Sequence, residues 1–472
     1  MREFDLRRAS ARAIADAVAK GEISALAVTE AALARIAGLN AALNAFTDIL
    51  VTRARATAAA IDAARARGAP LGPLAGVPFA VKNLYDIAGL ATRAGAKINR
   101  DAAPADADAY VIRRLEAAGA VLVGALDMDE YAYGFTGENI HDGASRNPHD
   151  PRHMTGGSSG GSAAAAASGM VTLTLGSDTN GSVRVPASLC GLFGLKPTYG
   201  RLSRHGLFPF VASLDHAGAF ARSAADLALI YDAMQGEDPD DPVCARRGAE
   251  PIVPSLNAGA ESLRIAVAGD YFRRGGNPEA YAAVDRLAAA LSVQREVILP
   301  EAQRARAAAY LITAAEGAAL HRARLQTRAA DFDPAVRDRL FAGAMIPAGA
   351  LLQAQKFRAW FQMQARAIFA DVDVILAPAT PCRAPLSGQK MMWLDGKEVP
   401  VRADLGIYTQ PLSFIGLPIC TVPVWTQGEK LPIGVQLIGA PWREDRVLRL
   451  AQALESMGLV QAPVAEDAAP PL

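Results

Sequence analysis

Apolar positions along this chain recur with two periods. Between residues 10 and 45 the spacing is helical, with Ile14 and Val18 on one stretch and Leu33 and Ile36 on the next. Ser10 stands where a helix N-cap belongs and Gly21 where the first helix should stop. A third helix is expected from about Thr52 to Arg67, ahead of the Gly/Pro-rich segment LGPLAGVP. The apolar stripes are thin and rich in alanine, so these helices are expected to lie on a larger body or on a partner.

Period-two and short apolar segments follow. Val77, Phe79 and Val81 fall on one side of an expected strand, and Pro78, Ala80 and Lys82 on the other. A helix is expected from Asp106 to Arg114, with Val111, Ile112 and Leu115 inward and Gly119 as its stop, before the buried strand AVLVG. Met170 to Leu175 (MVTLTL) alternates as a strand does, and Val185-Pro opens a helix after it. The chain regains a distinct character at Asp373–Pro381, Tyr408–Pro418 and Leu431–Gly439. Helices alternating with buried strands imply an α/β fold whose sheet is covered on both faces.

One domain is expected to span residues 1–472. It would comprise N-terminal helices (1–68), a core (69–235), a helical excursion (about 236–370), C-terminal strands and a helix (371–460), and a disordered tail (461–472). The turn-rich segment 235–262 reads as a surface excursion rather than a linker.

Charge narrows the function. Lys plus Arg number 48 and so do Asp plus Glu, and this balance favours neither nucleic acid nor an anionic membrane as partner. The four cysteines include no Cys-x-x-Cys pair and read as small buried hydrophobes of a reducing compartment. The N-terminus carries charges throughout, and the apolar run near Ala163–Leu175 is too short to span a bilayer. A cytoplasmic protein is the expectation.

The candidate chemistry lies between Gly156 and Thr198, in GGSSGGSAAAAASGMVTLTLGSDTNGSVRVPASLCGLFGLKPT. Glycines around serines let backbone and ligand come close, so Ser158 to Ser162 and Ser182 read as presented hydroxyls. Ser182 falls between a strand end and a helix start, where free N–H groups attract developing negative charge. Read blandly, the two halves are a flexible linker and a turn. No Gly-Lys-[Ser/Thr] follows, so a phosphate-binding loop is not indicated. His141, His149 and His153 lack a metal-binding pattern, and no metal or other cofactor is expected. His216, next to Asp215, belongs to no evident Ser/His/Asp order.

In its order the segment resembles the amidase signature family, the hydrolases built on a Ser, cis-Ser, Lys triad. The resemblance implies a central mixed, twisted sheet with helices on both faces. It implies Ser182 as nucleophile, Ser158 as bridging serine across a cis Gly157–Ser158 peptide, and Lys82 as base. On spacing alone Lys82 reads as a strand-end charge; the family's V-K-[DN]-x-x-D context makes it a buried lysine, its pKa brought down from about 10.4. The backbone N–H groups of Thr179, Asn180, Gly181 and Ser182 would form the oxyanion hole. Asn180 departs from the family's usual glycine, and asparagine tolerates the left-handed region. Arg184 is expected to tie the loop to Asp178.

Tyr131, Tyr133, Phe135 and Gln410 are candidate substrate contacts, and the three aromatics read equally as core. The wordings YAYGFTGEN, SDTNGS, SLDHAG and LPIGVQLIGAPWRED resemble family members that release ammonia from small carboxylated urea-like amides through an acyl-enzyme. Those members work with a small helical subunit resembling the third subunit of tRNA-dependent amidotransferases, in pairs that can dimerise. The alternatives are a glutaminase subunit of such an amidotransferase, another small-amide or allophanate hydrolase, and a non-catalytic scaffold.

Overall fold

The computed structural model describes residues 5–466. Its centre is a mixed sheet of eleven strands. In chain order the first six are β1 (Phe46–Ile49), β2 (Pro78–Lys82), β3 (Val121–Leu126), β4 (Leu173–Asp178), β5 (Phe193–Lys196) and β6 (His216–Ala221). The others are β7 (Ile265–Ala268), β8 (Glu296–Val297), β9 (Val374–Pro378), β10 (Ile419–Val424) and β11 (Ile433–Gly439). Across the sheet they lie in the order β1, β3, β2, β4, β6, β5, β10, β11, β9, β7, β8. β2 runs parallel to both β3 and β4, whereas pairings from β4 through to β9 are antiparallel.

Every residue of β2, β3 and β4 is buried. The alternation seen at Val77–Lys82 therefore separates two covered faces and not core from solvent. A lysine at the end of β2 has nowhere wet to go.

The N-terminal helices pack on the body itself. Ser10 caps Ala11–Lys20 by accepting from the Ala13 N–H, and Gly21 ends it at φ 75°. Asp226 of helix Ala224–Met234 accepts from the Ala11 N–H at 3.0 Å. Helix Ala25–Leu43 is long and apolar enough to cross a membrane by length and composition, yet its Val28, Ala32 and Ile36 are wholly buried in the fold.

Four expectations need correction. The helix placed at Asp106–Arg114 starts later, at Tyr110, and runs to Ala117. The strand placed at Met170–Leu175 is Leu173–Asp178, because Gly169 turns the chain at φ 72° and three residues are spent re-entering the sheet. The excursion 236–370 is not only helical. Between helices Pro278–Ala290 and Ala302–Arg328 and ahead of them, it contributes β8 and β7, which extend the sheet to its edge. The expected disordered tail is held as far as it is described: the Ala465 N–H donates to Ala167 O at 2.9 Å and Trp425 Nε1 donates to Gln461 O at 2.8 Å. Its remainder, 467–472, lies outside the described residues.

Candidate active site

β2 and β4 lie side by side with Val81 opposite Leu175, so Lys82 and the end of β4 emerge together. Beyond Asp178 the chain turns through Thr179–Val183 into helix Arg184–Cys190. Buried charge pins this turn. Arg184 and Asp178 have no exposed surface, and the guanidinium donates twice to the carboxylate at 2.9 Å. Burial pushes the Asp178 carboxyl up, but Arg184 outweighs it and holds the group well below the ordinary carboxylate range. The Val183 N–H adds a third bond to Asp178, 3.2 Å long.

Thr409 braces the turn from outside, its hydroxyl donating to Asn180 O at 2.7 Å. Gly181 has φ +140°, and a Cβ there would stand 2.2 Å from Thr409 Oγ1. Among the described residues, none of the N–H groups from Thr179 to Ser182 donates to a protein acceptor. Four free donors beside a serine are the makings of an anion cradle.

The Gly157–Ser158 peptide, just ahead of helix Gly160–Ala167, is cis. That helix consists of Gly, Ser and Ala because it runs close to other backbone: a Cβ on Gly161 would come within 2.5 Å of Ala45 O and 2.6 Å of Asp127 N. Lys82 Nζ donates to Ser158 Oγ at 2.7 Å and to Ser177 Oγ at 2.9 Å. Burial pushes the Lys82 ammonium down to about 7, while Asp129, Asp178 and Asp215 pull it back up. Near neutral pH a large share of this lysine is a free base.

Ser182 and its neighbours Thr179 and Asn180 line a cavity of about 220 Å³. Tyr133, Phe135 and Gln410 line it too, so these three sequence candidates do meet the serine. Tyr131 does not. Its ring packs on His321 at 4.1 Å between centroids and on Phe208 and Phe332 at 5.5 Å, within the core. The reason is local: Tyr131 and Ala132 have φ 49° and 60°, and this double left-handed turn sends residues 131 and 133 to different places. Asn180 projects across to helix Ala302–Arg328, its Nδ2 donating to Thr313 Oγ1 at 2.9 Å.

Three arginines of this cavity were not singled out from sequence, because arginine recurs throughout these helices and nothing marks these three. Arg306 is bound to Asp404 at 2.8 Å and to Gln410 Oε1 at 2.9 Å. Arg402 faces Asp333 at 3.5 Å. Arg339 has no carboxylate partner among the described residues. Its guanidinium lies 3.7 Å over the Tyr133 ring and donates to the Tyr133 carbonyl. Ser177 was also missed, though a hydroxyl at the end of the strand beside a buried lysine was readable in GSDTNGS.

The histidines disperse. His216 Nε2 stands 3.2 Å from Lys196 Nζ and its Nδ1 is 3.0 Å from Asp178 O, so it supports the turn from beneath. Burial and the neighbouring Lys196 hold it well below the usual histidine range. His141 binds Glu130, His149 binds Cys190 O, and His153 lies 3.4 Å from Asp150. A second cavity of about 200 Å³ shares Ala132, Thr179 and Phe210 with the first and reaches Ser177. His205 and Asp240, which line it, and Asp238 bring ligand atoms within 4.8 Å of one another, the one grouping among the described residues with the composition of a cation site.

Comparison with known proteins agrees with this geometry. The Amidase family pattern matches residues 27–448. AtzE, the 1-carboxybiuret hydrolase subunit of Pseudomonas sp. (strain ADP), is 52% identical over 449 residues, 95% of this chain and 98% of that protein. A subunit of the glutamyl-tRNA(Gln) amidotransferase of Chloroflexus aurantiacus is 37% identical, covering 96% of this chain and 97% of its own. A solved structure, described as an unexpected vestigial protein complex that reveals the evolutionary origins of an s-triazine catabolic enzyme, superposes with a TM-score of 0.95 at 51% identity. It covers 96% of this chain and 100% of its own.

Proposed function

Because the chain belongs to the amidase family, and is an amide-cleaving hydrolase with it, we propose that it releases ammonia from a small carboxylated urea of the 1-carboxybiuret type. The observation that carries this reading is a guanidinium without a carboxylate partner among the described residues, Arg339, in the same small cavity as Ser182 and the free N–H groups of its turn. A relative with half its residues identical carries the name of that reaction.

In the proposed sequence neutral Lys82 takes a proton from Ser158, which takes one from Ser182 as Ser182 Oγ attacks the substrate carbonyl. The oxyanion is held by the N–H groups of Thr179, Asn180, Gly181 and Ser182, where loss of one donor typically costs about 10²–10³ in rate. Among the described residues Ser182 Oγ has no hydrogen-bond partner, so the proposed sequence requires its hydroxyl to turn toward Ser158 when substrate binds. Ammonia leaves with the proton returned along the relay, and water opens the acyl-enzyme by the same route reversed. Arg339, supported on Tyr133, holds the substrate's carboxylate in a charge-assisted pair.

We further place a small helical subunit beside this chain, in the cytoplasm. The related solved structure is a complex, and the helices Pro334–Ala344 and Ala348–Ile368 expose Phe341, Leu352 and Met363. Large exposed apolar groups on neighbouring helices mark an interaction surface.

The test is ammonia release with 1-carboxybiuret, biuret, allophanate, malonamate, asparagine and glutamine supplied singly. Turnover of 1-carboxybiuret well above the rest supports the proposal. Turnover confined to glutamine assigns the chain to the amidotransferase subunits instead, as the 37% identity to the Chloroflexus protein permits.

A further inference from the structure

Glu130 is 1% exposed, and its two carboxyl oxygens face different elements. Oε1 lies 2.8 Å from His141 Nε2. Oε2 accepts from the Asp333 N–H at 2.8 Å. Asp333 is the N-cap of helix Pro334–Ala344, its own Oδ1 accepting from the Ala335 N–H at 2.8 Å. Farther along the same helix, Arg339 reaches the cavity of Ser182.

The chain on the other side of Glu130 leads to the same part of that cavity. Tyr131 and Ala132 make the left-handed turn, and Tyr133 follows with its ring under Arg339 and its carbonyl accepting from it. Loop and helix are thus joined at two points: Glu130 grips the helix start, and Tyr133 meets Arg339. With the first grip removed, the helix start is left with a free N–H where Glu130 bound it, while the body of the helix stays packed through Val336, Leu340 and Gly343.

We infer that Glu130 is a positioning residue, which fixes the start of the Arg339 helix against the Tyr133 loop and so places Arg339 over the carboxylate of the substrate. The inference rests on the reading of Arg339 as the carboxylate anchor. Glu130 touches neither substrate nor reacting atoms. The charged and titratable groups that face it are His141 from the loop after Asn139, Asp333 from the helix start, Arg402 from the helix Val401–Asp404, and Tyr131 beside it. Burial pushes its carboxyl up to about 8, with the Asp333 charge adding to the rise while the Asp333 N–H and Arg402 oppose it. Around neutral pH the group is a neutral carboxyl, donating to His141 and accepting from Asp333, which a glutamine amide reproduces.

The experiment compares Glu130→Ala, Glu130→Gln and Arg339→Ala on the full chain, with 1-carboxybiuret and with uncarboxylated biuret as substrates. Glu130→Ala is expected to raise KM for 1-carboxybiuret about tenfold with kcat within about threefold, and to leave kcat/KM for biuret unchanged. Glu130→Gln is expected to restore the wild-type KM at pH 7. The wild-type KM is then expected to climb severalfold from pH 7 to pH 9, as an ionised Glu130 is left buried and can no longer donate to His141, while Glu130→Gln stays level. This second comparison stands even if Glu130→Ala does not fold.

An Arg339→Ala effect on KM without any from Glu130→Ala, equal losses on both substrates, or matching pH courses of wild type and Glu130→Gln would each overturn the inference. No effect from Arg339→Ala overturns the anchor reading, and this inference with it.

Discussion

Lys82 Nζ stands 2.7 Å from Ser158 Oγ, and neither residue has any surface exposed to solvent. In that seclusion the ammonium form is expensive and the hydroxyl is the nearest group to exchange a proton with. A lysine and a serine so placed suit the base and bridge of the proposed relay, which calls for no histidine.

The first prediction concerns pH. The active form of Lys82 is neutral, so kcat/KM should rise as pH increases through about 7 and level off above it. Lys82→Met should abolish the rise and cost about 10²–10⁴ in rate. Stability carries the same group with a defined sign. The folded pKa lies below the unfolded value of about 10.4, so between the two the unfolded chain holds a proton that the native one lacks. Wild-type stability should therefore grow from pH 7 toward pH 10, and urea titrations of Lys82→Met should show less of this growth.

Arg184 tests the turn. Arg184→Met leaves the Asp178 carboxylate buried without its partner, at a cost of about 3–5 kcal/mol, readable as a lower urea midpoint. Arg184→Lys should recover little, since an ammonium cannot serve both carboxylate oxygens, the Thr409 carbonyl and Gln436 at once.

Gly181 tests the free donors. Gly181→Ala brings a Cβ to 2.2 Å from Thr409 Oγ1 at a φ of +140°, so the turn must move. The rate should fall about 10²-fold or more, as for loss of an oxyanion donor, with only a small change in the thermal midpoint. Thr409→Ala in the same chain should not restore activity, because the backbone angle stays unfavourable and the brace on Asn180 is gone.

Arg339 tests the substrate class. Arg339→Ala should raise KM for a carboxylated substrate by about 10- to 100-fold, the weight of one charge-assisted pair, and leave an uncarboxylated amide unaffected. Steady-state ammonia release reads both.

The sequence made the fold class and the glycine-flanked serines readable, for different reasons. Short apolar runs between helical stretches imply a covered sheet wherever they occur, and β2, β3 and β4 are buried throughout. The Gly/Ser spacing around Ser158 and Ser182 is local chemistry, so it survives in one dimension. The arginines do not. Arg306, Arg339 and Arg402 come from three helices that only tertiary packing brings to one cavity, and in a stretch crowded with arginine no local pattern separates a cavity residue from a solvated one. Tyr131 read equally as a substrate contact and as core, and two consecutive left-handed residues, which no local pattern announces, send it to the core. The strands β7 and β8 were hidden for a related reason: at four and two residues they are too short to show a period.

The central claim is that Ser182 is acylated during turnover. The direct measurement is rapid acid quenching of the enzyme with substrate, followed by digestion and mass spectrometry of the peptide that contains residue 182. The account predicts an acyl adduct on Ser182 in the wild type, a slower approach to it in Lys82→Met, and none in Ser182→Ala. An adduct on Ser158 or Ser177, or ammonia release at the wild-type rate from Ser182→Ala, would contradict it.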